Sequence, residues 1–167
     1  MQIYLGSDHA GVEMKKELQN HLKQNAEMKV LDLGVFSTDR VDYPDIAREV
    51  CEKVLENPGS FGILICGTGV GMSIAANRRG GIRASLVVND YIAKMSRTDD
   101  DANVACFGAR WQDLETVKKL ADLFLATPFN KGDDGRHERR VGKLEKMLEG
   151  RQDASHGSFG PESDSKC

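Results

Sequence analysis

The chain lacks most of what would mark a nucleic-acid binder, a membrane protein or a disulfide scaffold. Its 167 residues carry 23 Lys and Arg against 26 Asp and Glu, a formal charge of −3, so no global basic field is present to hold a polyanion. No apolar run approaches the roughly 18 residues that a bilayer span requires. The four cysteines, at 51, 66, 106 and 167, are widely separated and form no C-x-x-C pair, which excludes zinc-ribbon spacing. A Gly-Lys-Ser/Thr phosphate loop is absent as well. The opening MQIYLGSDHAG has none of the basic, apolar and small-residue succession of a secretory signal, so a reducing, cytoplasmic setting is the expectation.

What is present is alternation. IYLGSD, MKVLDLG, FGILICG, GIRASLVVN and NVACFGA read as five apolar strands. Between them, GVEMKKELQNHLKQN, YPDIAREVCEKVLEN, VGMSIAANR, DYIAKMSRTD and LETVKKLADLFLAT carry helical stripes, and RHERRVGKLEKMLEG adds one more helix. FGILICG is continuous and apolar, as a strand buried on both faces should be. Asp90 is the expected cap of the DYIAKMSRTD helix. Repeated β-α units predict an α/β fold with a parallel sheet and helices on both faces. Residues 1–149 read as one domain, and the polar, Gly/Ser-rich stretch 150–167 as a flexible tail. Cys51 and Cys106 fall in helix and strand patterns and read as buried free thiols.

Ligands of open parallel sheets bind beyond the carboxyl ends of the strands. Four elements are expected there: Ser7, Asp8 and His9 after the first strand, Cys66 and its glycines after the third, the loop RTDDDAN after the fourth main helix, and Gly108 and Arg110 after the fifth strand. The stretch ILICGTGVGMSIAANR opens two uses for its glycines. One is a nucleotide loop, with Gly69 and Gly71 opening a helix and Asp90 about 20 residues on; Ile74 stands where the third glycine of the fingerprint belongs. The other is a cradle of backbone N–H groups for a negative oxygen, with Cys66 at its edge. A thiol beside such a helix start is favoured as thiolate and could move a carbon-bound proton. Cys66 also fits a plain core thiol ending a strand. Asp8 and His9 fit either a helix cap or a polar pair facing a ligand. Arg136 and Arg140, at i and i+4, share one helix face and could fork onto a phosphate, while His137 and Arg139 lie on other faces.

Together SDHAG, DYPDIA, GILICGTGVGMSIAAN, GIRA, NVACFGAR and GRHERRV resemble the type B ribose-5-phosphate isomerase family, which includes galactose-6-phosphate isomerase subunits. The resemblance covers residues 1 to about 149. It implies a three-layer α/β/α sandwich around a five-stranded parallel, Rossmann-like sheet. It implies an aldose–ketose isomerase without metal or cofactor, acting on a small phosphorylated sugar. Subunits would form homodimers, paired or not into tetramers, with each active site shared across the dimer interface. No nucleic-acid or membrane partner is implied. Cys66 matches the base that moves a proton between C1 and C2, and Gly67, Thr68, Gly69, Val70 and Gly71 match the enediolate cradle. Asp8, His9 and Tyr43 match sugar-contacting positions. Arg110, Arg136 and Arg140 match the phosphate and substrate clamp, Arg110 reaching in from the partner chain.

The sequence departs from the family at one place. Many members carry a histidine then an asparagine in the loop before NV, the histidine being assigned to opening the furanose ring. Here Asp99 and Asp100 stand at those positions. An ordinary Asp titrates near 3.9 and His near 6.5, so Asp99 accepts a proton at neutral pH more readily than it gives one. Three consequences are open: Asp99 works with a raised pKa, another residue such as His9 opens the ring, or the substrate is a linear four-carbon sugar phosphate. A sugar-phosphate binder without turnover is the non-enzymatic alternative. Three carboxylates in DDD would repel a phosphorylated substrate, so some of them are expected to point away.

Overall fold

A computed structural model describes the backbone of residues 1–152 and the side chains of residues 1–147. Five strands form one all-parallel sheet: β1 (Gln2–Ser7), β2 (Lys29–Asp32), β3 (Phe61–Cys66), β4 (Ala84–Leu86) and β5 (Val104–Gly108), in the order β2-β1-β3-β5-β4. The helices are α1 (Val12–Leu22), α2 (Tyr43–Glu56), α3 (Val70–Ala76), α4 (Asp90–Thr98), α5 (Leu114–Ala126) and α6 (Arg136–Gln152), with a 3₁₀ turn at His9–Gly11. The α/β/α layering agrees with the expectation. Leu18, Leu22, Ala93, Val117, Leu120 and Phe124 of α1, α4 and α5 pack on Ile3, Leu5, Ile63, Ile65, Ala105 and Phe107. Ala47, Val50, Cys51, Met72 and Ala76 of α2 and α3 pack on Tyr4, Leu64, Cys66, Val104 and Cys106 on the other face. Strand residues therefore alternate between two apolar layers, which is why β3 is hydrophobic throughout.

The strand order reverses between β1 and β3, the position where an open α/β sheet leaves a crevice at its carboxyl edge. Beyond the ladder, Asp8 N–H donates to the Ile65 carbonyl at 3.0 Å, so the end of β1 stays locked beside the end of β3.

Several sequence expectations shift. β4 is only three residues long, Ala84–Leu86, with Val87 N–H still bonded to the Cys106 carbonyl of β5 at 3.0 Å. The cap of α4 is Asn89, whose side chain accepts from Ile92 N–H, and Asp90 is the first helical residue. α6 runs to Gln152, into the segment expected to be tail; residues 153–167 lie outside the described residues. Lys15 is buried, its ammonium paired with Asp32 at 2.5 Å and donating to the Val35 carbonyl at 2.8 Å. Cys51 and Cys106 are buried free thiols as expected. Burial pushes the Cys51 thiol up to about 12 and the Cys106 thiol well above its usual range.

The largest correction concerns RTDDDAN. A helix crossing over a parallel sheet delivers the chain back to the amino edge, and this loop follows α4. Ala102 N–H bonds the Ser96 carbonyl, and Asn103 N–H bonds the Arg83 carbonyl just before β4. Arg97 stacks on the ring of Phe61, the first residue of β3, at 4.8 Å. The acidic loop is therefore at the opposite end of the sheet from Cys66, the last residue of β3.

Candidate active site

The site grows from the end of β3. Cys66 is buried, and the backbone N–H of Gly69 donates to its Sγ at 3.1 Å. That turn needs φ of +79° at Gly69, where a Cβ would lie 2.5 Å from Leu86 Cδ1 and 2.9 Å from the Phe107 carbonyl carbon. Glycine alone accepts both conditions.

Two side chains fill the space left by the other glycines. A Cβ on Gly67 would meet the Arg110 guanidinium at 3.1 Å, and one on Gly71 would meet the Tyr43 ring at 2.8 Å. Arg110 thus lies over the cradle of its own chain; the expectation that it reaches in from a partner is not needed to bring it here. Its backbone is held by Arg110 N–H to the Gly67 carbonyl at 3.0 Å. Tyr43 is the first residue of α2 and leaves its ring on Gly71. Thr68 and Val70 complete the loop, with Val70 N–H on Thr68 Oγ1 at 3.4 Å.

Asp8 takes the capping role: its carboxylate accepts from Ala10 N–H at 2.9 Å. His9 is left with a buried Nδ1 that has no partner among the described residues. An orphaned buried ring nitrogen costs free energy unless something binds it. The crevice therefore gathers Asp8, His9, Tyr43, Cys66, the glycine loop and Arg110 within one chain.

The rest of the expected site lies at the amino edge. Arg136 and Arg140 stand at the start of α6 and Asp99 caps the end of α4. His137, which sequence reasoning set aside, is buried there. Its Nδ1 lies 2.8 Å from the Asn130 carbonyl and 3.7 Å from Asp99 Oδ1, and its Nε2 accepts from Arg136 Nε at 3.0 Å. The signal for it was its place inside GRHERRV, one turn's face away from the arginine pair. Asp100 is exposed, and partial desolvation together with the charge of Asp99 raises its carboxyl above the usual range, with His137 and Arg140 opposing. Asp101 does turn away, as the DDD argument required: it pairs with Arg97 at 2.8 Å and Arg83 at 2.9 Å. Arg83 also holds Glu145 of α6 at 2.7 Å. A groove of about 450 Å³ at this end is lined by Asn77, Arg83, Ser96, Asp100, Leu144 and Glu145. No group of three metal-ligating side chains occurs among the described residues, and no described helix is long and apolar enough to cross a membrane.

The fold and site define an α/β protein with a cysteine beside a glycine-rich loop at the switch point of a parallel, Rossmann-like sheet. The comparisons with known proteins name the family. The sequence model described as Ribose/Galactose Isomerase matches residues 3–144. A probable ribose-5-phosphate isomerase B of Mycoplasma pneumoniae is 46% identical over 143 residues, 85% of this chain and 91% of that protein. The ribose-5-phosphate isomerase B of Escherichia coli is 42% identical over 140 residues, 84% of this chain and 91% of that protein. The solved structure of the Clostridium thermocellum ribose-5-phosphate isomerase B superposes with a TM-score of 0.85 at 40% identity, covering 90% of this chain and 99% of that one. The chain belongs to the ribose/galactose isomerase family.

Proposed function

We propose that the protein interconverts ribose 5-phosphate and ribulose 5-phosphate, with Cys66 as the base. The observation that carries this reading is the N–H of Gly69 on Cys66 Sγ, within a cradle flanked by Arg110 and Tyr43. Isomerisation needs a base at C2 and a donor set for the oxyanion that develops as the proton leaves. The Cys66 thiolate takes the C2 proton, the electron pair moves onto the carbonyl oxygen, and the enediolate forms. A proton passes from the C2 hydroxyl to the C1 oxygen, and the Cys66 thiol, whose proton exchanges with solvent, protonates C1 to give the ketose. Gly67 to Gly71 supply the backbone donors. Asp8 and His9 meet the sugar hydroxyls, and the orphaned His9 Nδ1 supports that role.

A phosphate handle supplies remote binding energy that orients the short sugar. Arg136 and Arg140 are the clamp in this reading, yet they sit at the other edge of the sheet from Cys66. Five residue steps of β3 separate the two edges by about 16 Å. The complete site therefore takes Cys66 and its cradle from one subunit and Arg136, Arg140, Asp99 and Asp100 from a second copy. Ring opening falls to Asp99, whose Oδ1 lies 3.7 Å from His137 Nδ1.

The aspartate at position 99 also favours a second reading, a linear tetrose or tetrulose phosphate that needs no ring opening. A substrate panel separates the two. Exchange of the C2 proton with deuterated water is followed for ribose 5-phosphate and erythrose 4-phosphate. The pentose reading expects the higher kcat/KM on ribose 5-phosphate. Preference for the tetrose selects the linear reading, and binding without exchange on either identifies a non-catalytic sugar-phosphate binder.

A further inference from the structure

Trp111 is the single tryptophan of the chain and is half exposed in the turn after β5. Burial does not explain an indole at that position, but its hydrogen bond does. Nε1 donates to the carbonyl of Thr68 at 3.1 Å, far away in sequence. The ring is pressed onto Gly108, where a Cβ would lie 2.0 Å from Nε1 and 2.6 Å from Cδ1. The carbonyl it binds belongs to the Thr68–Gly69 peptide, and the N–H of that same peptide donates to Cys66 Sγ at 3.1 Å.

A peptide is planar, so fixing its oxygen fixes the direction of its N–H. The residue after it is a glycine, which accepts either sign of φ and so allows the peptide to flip. Its two ends are held by two contacts, the indole at oxygen and the cysteine at nitrogen. A bond accepted at the carbonyl also polarises the N–H and strengthens what it donates.

We propose that Trp111 is a positioning residue: its indole N–H holds the Thr68–Gly69 peptide with its own N–H on the sulfur of Cys66. It touches no reacting atom. Its part in turnover rests on the reading of Cys66 as the base, whereas its effect on the sulfur is measurable without turnover.

Two substitutions isolate the bond. Trp111→Phe keeps an aromatic ring against Gly108 and removes the donor. Trp111→His places an N–H at the same position of a five-membered ring. The rate of Cys66 alkylation by iodoacetamide is read from the mass of the Cys66 peptide, whose residue is 4% exposed where Cys51 and Cys106 are 0% exposed. At neutral pH, Trp111→Phe slows alkylation about three- to tenfold, the size of one neutral hydrogen bond, and Trp111→His stays near wild type. An unchanged rate in Trp111→Phe, or an equal loss in Trp111→His, overturns the proposal. Should Cys66→Ala retain C2 exchange, the base reading fails while the alkylation result for Trp111 stands.

Discussion

Cys66 and Asp99 lie at opposite ends of one sheet: Cys66 closes β3 at the carboxyl edge, and Asp99 caps α4 at the amino edge. No rotation of side chains brings them to one small sugar. If both serve one reaction, two chains meet.

That geometry has a direct test. Cys66→Ala and Arg140→Ala chains, each inactive as homodimers, are co-expressed. In a mixed two-fold dimer one site receives Cys66 from one chain and Arg140 from the other, and the second site receives neither. Random pairing restores about a quarter of wild-type activity. An in-chain site restores none.

Gly69→Ala tests the cradle. The substitution places a Cβ at a φ of +79° and within 3.0 Å of the Phe107 backbone. Strain and clash together cost about 1–3 kcal/mol of stability, read by urea unfolding. The C2 exchange rate falls further than the loss of folded protein accounts for, because the N–H on Cys66 moves with the loop.

The buried pair of Lys15 and Asp32 pins the segment that follows β2. Val35 N–H bonds the Ser7 carbonyl at 2.9 Å and Gly34 N–H bonds Asp32 Oδ1 at 2.9 Å, so the pair braces the strand end that carries Asp8. Asp32→Asn leaves a buried ammonium without its charge partner and is expected to cost about 3 kcal/mol. The Lys15→Met, Asp32→Asn double variant recovers part of that loss. Equal unfolding midpoints for wild type and Asp32→Asn would contradict it.

Asp100 predicts a pH dependence. Its carboxyl is raised in the fold, first by desolvation and then by Asp99. A raised carboxyl favours the protonated form, so its contribution to stability is present below the ordinary carboxylate pKa and is lost as pH rises through the folded value. Asp100→Asn therefore unfolds at a higher temperature than wild type at neutral pH, and the difference closes in acid. Thermal melts across that range read it; a difference that widens in acid would contradict the sign.

Much of this was legible in the sequence, and the limits have physical causes. The continuous apolar run of β3, the glycines after Cys66 and the paired arginines carried the fold class and the candidate chemistry. Helical stripes located α2 and α5 because one face is apolar and the other charged. The burial of Lys15 was not legible because a lysine on a helix is normally solvated; only the distant Asp32 and the Val35 carbonyl make it tolerable. The strand order was invisible, since β4 passes over β5 to the sheet edge and pairs there through three residues. The acidic loop was placed at the wrong edge, although chain direction alone would have corrected it: a loop that follows a crossover helix returns to the amino ends. His137 and Trp111 were overlooked because their partners, Asn130, Asp99 and Thr68, are tertiary.

The central claim is that Cys66 moves the proton. Its most direct test is the exchange of the C2 proton of ribose 5-phosphate with deuterated water, followed by NMR in wild type and in Cys66→Ala. The account predicts exchange in wild type and exchange at the uncatalysed rate in the variant, with inorganic phosphate still bound by both. Undiminished exchange in Cys66→Ala would contradict it.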